Sequence, residues 1–222
     1  GFAFAVFSAA FGLSALALTP LVDEQTKLEN WRTLGLNMIQ TRLNALSTAS
    51  NLLSQAVLVS ESVKTQLSAE ITSNKSGLSA LKEQISAETA LDAIKLEVSS
   101  IVDKYRIYIV VLPKAYGLAA ASRFRSLEAK VDTLADKVEE ALGADGSSEA
   151  KALIEQARNL LVSAEQKIDL AEQKYGAMTV ENYLQATTLN LEARGYLIEV
   201  KSYLHDALSK VKQVAVLLKS AE

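Results

Sequence analysis

The chain of 222 residues contains no cysteine, one histidine, one tryptophan and only two prolines. Each shortage excludes something. Without cysteine there can be no disulfide framework, no thiolate nucleophile and no thiolate-built zinc site. The single histidine, His205, has no second group spaced to work with it. A general base needs an orienting carboxylate and a nucleophile, and a metal centre needs further ligands. Ser202 stands three positions before it, so the Glu-x-x-His pattern of di-iron bundles is missing. A glycine-rich phosphate loop and a nucleophile elbow are missing too. The net charge of −3 is spread almost evenly over the two halves. Neither half has the basic excess that binding to a phosphate backbone requires, which excludes nucleic acid as the expected partner. The chain is therefore read as not an enzyme, with no catalytic, cofactor-binding or metal-ligating residue assigned and no cofactor expected.

Scarce proline also means few strand boundaries. After Asp23 proline occurs only at Pro113, and apolar residues recur at alternating steps of three and four, the signature of helices packed along a seam. One seam runs Leu36, Ile39, Leu43, Leu46, Leu53, Val57, with Ser50 standing in it. A second runs Leu67, Ile71, Leu78, Leu81, Ile85, interrupted by Asn74. The next helix is expected to open at Thr89, with Asp92 as the reciprocal capping carboxylate. Its seam continues through Leu91, Ile94, Val98, Ile101, Tyr105, Tyr108 and Leu112. That register makes "YRIYIVVLP", a stretch with the β-branched look of a strand, read as helix. Pro113 is expected to kink or break it. Beyond the proline the seam resumes at Ala120, Phe124, Leu127, Val131, Leu134 and Val138. "GADGSS", residues 143–148, reads as a loop with glycines for positive φ and serines to cap the next helix. Two further helices carry Leu153 to Tyr175 and Leu189 to Leu218 on their seams.

The fold class is accordingly all-α: an elongated antiparallel helical bundle, two three-helix bundles (residues 23–112 and 113–222) sharing a long central helix bent near Pro113. A single five-helix bundle folded back at Pro113 is the alternative. Within this frame the polar and aromatic residues have plain structural readings. Asp132, Asp136, Glu139 and Glu140 are interleaved with Lys130 and Lys137 and read as a solvated helical face, since a calcium site wants six or more oxygens converging from a loop. Tyr105, Tyr108, Tyr196 and Tyr203 could line a ligand groove, and as seam residues are expected to be core. Ser50 and Asn74 are expected to set helix register or to lie at bundle ends.

Asn74–Arg123 has a serine-rich Leu-Lys-Ile helix, an acidic-hydrophobic segment, the Tyr-Arg-Ile-Tyr core at 105–108, the Pro-Lys pair at 113–114 and a small-residue turn at 119–121. In these features it resembles a family of exported all-helical bacterial proteins of unassigned function. The resemblance implies an exported helical rod preceded by a signal peptide, and no activity.

One composition boundary stands out. Gly1–Val22 carries no charge, and in a helix would span roughly 33 Å, close to the thickness of a bilayer's hydrocarbon. Ala15-Leu16-Ala17 has the small-x-small form of a signal-peptidase site. An apolar N-terminal helix is expected here, serving as an export signal, a retained anchor or a filament stem; an ordinary buried helix is the fourth possibility. Phe2 follows a glycine as at a prepilin cleavage site, although Val6 stands where type IV pilins carry glutamate. Asp23 and Glu24 follow the segment and the first basic residue is Lys27, so the flank is not the positive one expected on the cytoplasmic side. The expectation is a noncatalytic extracytoplasmic rod, a structural or interaction module of the bacterial cell envelope. Its partner would be another protein, or a copy of itself, met through helix faces, with a membrane contact possible through residues 1–22. The alternatives are a pilin-like filament subunit and a helical carrier of small apolar ligands.

Overall fold

The computed structural model describes residues 24–221, and the expected N-terminal apolar helix lies outside them. Among the described residues there is no strand. Helix α1 (Glu24–Gln55), α2 (Glu61–Ala87) and α3 (Leu91–Asp103) are followed by a π-helical turn (Ile107–Val111), then α4 (Leu112–Leu142), α5 (Ser148–Gly176) and α6 (Tyr183–Ala221). Helices α1, α2 and α3 pack on one another, as do α4, α5 and α6, and α1 also packs on α4. Among the described residues no helix is long and apolar enough to cross a membrane.

Two of the helix starts are serine caps. The Ser60 hydroxyl accepts from the Val63 amide at 3.4 Å and Ser147 from Ala150 at 3.2 Å, each satisfying an amide that the first turn leaves unpaired. Gly143 ends α4 with φ of 62°, as the loop reading of residues 143–148 required, while Gly146 does not take positive φ. The start of α3 departs from expectation. Its cap position is Ala90, not Thr89, and makes no side-chain cap bond. Instead the Glu88 carboxylate accepts from the amides of Thr89 and Ala90, both at 2.7 Å. A carboxylate just upstream serves the same orphan donors that the threonine was expected to serve.

The break in the central segment falls earlier than Pro113. Helix α3 ends at Asp103, and Arg106 takes the left-handed conformation, φ 45° and ψ 29°. From Ile107 the chain is helical again, but as a π turn, the Leu112 amide bonding to the Ile107 carbonyl five residues back. Pro113 comes next, in the first turn of α4; it has no amide to give to the preceding turn, and a wide turn gives the pyrrolidine ring room against the preceding carbonyls. The β-branched stretch is thus helical but not α-helical, and its seam is broken. Tyr105, Ile107, Val110, Val111 and Leu112 are buried, while Tyr108 and Ile109 are exposed. Arg106 is held where it is by Asp103 at 3.5 Å and by the Tyr183 ring, 4.1 Å from its guanidinium carbon.

The seams of α2, α5 and α6 bury their apolar residues much as the sequence pattern reads. Two other seams are only partly buried. Val57 lies beyond the end of α1 and is 71% exposed; Ala56 and Val59 of the connecting turn are buried in its place. In α4 Leu127 and Leu134 face out, and Ala135 is buried. Val131, Ala135 and Val138 make the buried stripe of α4, and Leu127 and Leu134 lie to one side of it.

Contact between the helices is close at glycine. A Cβ on Gly35 would meet Val98 Cγ2 at 2.7 Å, and one on Gly77 the Tyr105 hydroxyl at 2.7 Å. One on Gly117 of α4 would fall within the ring of Tyr175 from α5. Tyr105 and Tyr175 are thus core rings, each seated on the bare backbone of a neighbouring helix.

Candidate functional site

Helix α4 supplies the buried polar side chains that join the two ends of the chain. Lys114 is 3% exposed, and its ammonium donates to the Met178 carbonyl at 3.2 Å and to Glu70 Oε2 at 3.4 Å. It therefore ties α4 to α2 and to the α5–α6 turn. That turn is itself fastened by Asn182, whose Oδ1 accepts from the Thr179 amide at 2.8 Å and whose Nδ2 donates to the Ala177 carbonyl at 3.0 Å. Two turns of helix beyond Lys114, buried Ser122 accepts from the Leu58 amide at 3.1 Å and holds the α1–α2 connection. Asn74, the polar residue in the second seam, is half-buried and spends its amide on the Glu70 carbonyl at 2.7 Å.

The acidic face of α4 turns toward α5. Asp132, Asp136 and Glu139 converge on Arg158, Glu139 at 3.0 Å. Arg125 reaches the other way to Asp169 and, at 2.8 Å, to Glu172. Hydrogen bonding to these carboxylates raises both guanidinium pKa values. The carboxylates are thus arranged around arginines, an ion-pair ladder of the kind that fixes register between antiparallel helices. Lys167 with Glu199 at 2.7 Å and Lys174 with Glu192 at 2.5 Å do the same for α5 and α6. His205 lies on the outer surface of α6, its side chain 81% exposed and its Nδ1 3.2 Å from Asp206.

These ladders put α4 antiparallel to α5 and α5 antiparallel to α6, so α4 and α6 run parallel. Between them lies an open groove of about 520 Å³, within the ~300–1,000 Å³ typical of small-molecule sites. One wall is the ridge Tyr108, Leu112, Tyr116, Ala120, Phe124, at steps of four along the π turn and α4; the other is Asn190, Arg194, Leu197, Ile198, Lys201 of α6. Gly117 and Tyr175 form the floor. Burial pushes the Tyr175 hydroxyl up to about 12, with Arg194 pulling the other way, so the ring is neutral at any ordinary pH. Tyr108 is 49% exposed and Tyr116 42%, and the Arg42 guanidinium carbon lies 5.1 Å from the Tyr108 ring centre.

Of the tyrosines singled out in the sequence, Tyr108 lines this groove, and Tyr105 is core beside it. Tyr196 and Tyr203 are half-buried, with the Lys167 ammonium 5.0 Å from the Tyr196 ring. Seam spacing does not mark Tyr116, Tyr175 or the α6 wall as parts of a site. The step-of-four ridge from Tyr108 to Phe124 is a signal in the sequence, masked when the seam is taken to break at Pro113. No family model matches the chain, and neither a curated protein nor a solved structure matches it.

Proposed function

We propose that the chain is a noncatalytic helical interaction module of the bacterial cell envelope, elongated and extracytoplasmic, exported or anchored through Gly1–Val22. In this reading α1–α3 and α4–α6 form two three-helix bundles joined through the π turn, and the module meets its partner, or a second copy, through a helix face. The observation that carries it is a row on α6. Leu184, Leu191 and Ile198 stand one heptad apart and are 79%, 61% and 69% exposed. Apolar residues at heptad spacing form the seam of a helix pair, and among the described residues these three are left exposed. The resemblance of Asn74–Arg123 to exported helical proteins supports the placement outside the cytoplasm. The test is sedimentation of the full chain against Leu184→Asp/Leu191→Asp, together with fractionation and N-terminal sequencing from the native cell. The reading expects association that the double substitution abolishes, and an extracytoplasmic chain, beginning near Leu18 if the segment is cleaved. A full chain that is monomeric and cytoplasmic overturns it.

A second reading, a carrier of small apolar ligands, is favoured by the groove between α4 and α6, whose volume and aromatic walls suit such a ligand. Titration of decanol into the full chain tests it. Binding that Ile198→Asp removes supports a carrier, and absence of binding removes the reading.

A further inference from the structure

The apolar groove between α4 and α6 lies within reach of the chain's own uncharged segment. Arg42 of α1 lies over Tyr108 at one end of the groove, 5.1 Å from the ring centre. From Glu24, where α1 begins, to Arg42 is roughly 27 Å at the α-helical rise. Beyond the end of α1 the Leu58 amide meets Ser122 of α4 at 3.1 Å. Helices α1 and α4 therefore run in the same direction, and the groove extends from Tyr108 away from Glu24, with Tyr116 roughly 12 Å further on. Residues 1–22 carry no charge, and Phe4, Phe7 and Phe11 fall at steps of three and four, with Leu18 a heptad later, the spacing of one apolar helix face. Pro20 biases Thr19 toward extended backbone, a point at which the chain can turn back along α1. Thr19–Asp23 fully extended span about 17 Å, of which a sideways step of about 10 Å from α1 to α4 leaves about 14 Å along the axis. As a helix Gly1–Leu18 covers about 27 Å more. This sets Phe11 level with Tyr108, and Phe7 and Phe4 over the stretch from Leu112 to Tyr116.

We propose that the groove is the docking site of the protein's own Gly1–Leu18, laid antiparallel to α4 and α6 with Phe4, Phe7 and Phe11 against Tyr108, Leu112 and Tyr116. The inference rests on the segment being retained, as in the anchored form of the proposed module, and not on the α6 row; it claims the groove of the carrier reading for the chain itself. The tether decides between this occupant and the same segment of a second copy. A short linker that spans the gap gives an effective concentration in the millimolar range, far above that of separate chains. The match is apolar on both sides: Tyr108 and Tyr116 stand 49% and 42% exposed above Leu112 and Gly117, and an uncharged helix face asks for no counter-charge along the α6 wall. Left in water, the same face would be an exposed apolar stripe. Docking covers it until a bilayer takes it.

The chain has no cysteine, so a pair of introduced thiols reports on this contact alone. Ala3→Cys/Asn190→Cys and, as control, Ala3→Cys/Gln185→Cys are made in the full chain and treated with a short bis-maleimide. Asn190 lines the groove, whereas Gln185 is exposed and about 140° round α6 from it. Because α6 starts beside Arg106, where Tyr183 meets its guanidinium, Gln185 is also nearer the level of Glu24, so reach alone favours the control. The groove pair should cross-link within one chain about tenfold faster than the control, at a rate independent of protein concentration. Phe7→Asp, which alters no residue of α1–α6, should slow the groove pair about tenfold and leave the control unchanged. Equal rates for the two pairs, or a groove rate indifferent to Phe7→Asp, overturn the docking. Cross-links only between chains, faster at higher concentration, assign the groove to a second copy and overturn it equally. Sedimentation of the full chain with phosphatidylglycerol vesicles separates the docking from the anchoring it rests on. Capture that Phe7→Asp abolishes, with no groove cross-link, keeps the anchor and overturns the docking; a groove cross-link without capture keeps the docking and removes the anchor. Protein from the native cell that begins near Leu18 has lost the segment, and overturns both.

Discussion

Replacing Gly117 with alanine tests the close contact of α4 with the Tyr175 ring of α5. Glycine inside a helix is about 1 kcal/mol worse than alanine, so on propensity alone Gly117→Ala should stabilise α4. The added Cβ, however, would occupy the space of Tyr175 Cζ and both Cε atoms, and the ring is 1% exposed. Either α4 moves off α5 or the ring leaves the core. Overpacking of this kind costs about 1–3 kcal/mol, and displacing a buried aromatic approaches the ~3–5 kcal/mol of its truncation. Taking the upper end of the first range and subtracting the propensity gain leaves a net loss of about 2 kcal/mol, or a fall in Tm of about 4–8 °C for a chain of this size. The control is Gly195→Ala in α6, where the added Cβ would meet nothing within 4 Å; it should raise Tm by about 2–4 °C. In a Tyr175→Leu background Gly117→Ala should change sign and stabilise, a coupling of about 3 kcal/mol by double-mutant cycle. Urea unfolding followed by circular dichroism reads all four variants. A Gly117→Ala protein more stable than wild type, or additivity within about 0.5 kcal/mol, would refute the close seating of α4 on Tyr175.

Other outcomes rest on the same packing. Lys114→Met leaves the Met178 carbonyl and Glu70 without their donor; with the Glu70 side chain still 21% exposed, the loss should be about 2 kcal/mol, below the ~3–5 of a fully buried broken pair. Glu70→Gln on top of it should recover part of that in urea unfolding. At Arg106 glycine should be more stable than alanine by about 1 kcal/mol, because the left-handed conformation penalises a Cβ and both variants lose the Tyr183 contact equally. An ordinary α-helix through 106 would give the reverse order, so thermal melts of the pair locate the break. Glu128 has a raised pKa, chiefly from burial and then from Asp132 and Glu165. Its folded state binds the proton more tightly than the unfolded state, so its favourable contribution is present at low pH and is lost as pH rises from the ordinary carboxylate value through the raised one. Glu128→Gln should therefore be more stable than wild type at pH 7 and indistinguishable from it below about pH 4; the opposite trend in melts across that window would count against the buried placement.

The helical character of the chain could be read from spacing, because a seam repeats many times and each repeat reinforces the last. The seam that ends in Ile85 and the one that ends in Tyr175 each depend on several residues buried together. Single residues were less legible. Thr89 and Glu88 both stand near the start of α3 and either can satisfy its amides; the choice depends on how the turn from α2 is pulled in, and there Arg32 of α1 donates to the Ile85 carbonyl at 3.3 Å and to Glu88. That contact spans more than fifty positions and leaves no local trace. The same holds for the break at Arg106. Local propensity points to Pro113 as the disruptive residue, and arginine ordinarily continues a helix. What overrides propensity is tertiary: Tyr105 is seated on Gly77, and Arg106 lies over Tyr183 of α6. These contacts set up the π turn, and the π turn sets up the groove. Tyr108, which a continuous seam would have buried, is exposed, while Val111 beside the seam is buried, so the ridge that faces α6 takes its form from the interruption before the proline. A surface made by such an interruption is missed when the seam is followed as one unbroken three-four rhythm as far as Pro113, since that rhythm assigns Tyr108 to the core and starts afresh before it reaches Phe124.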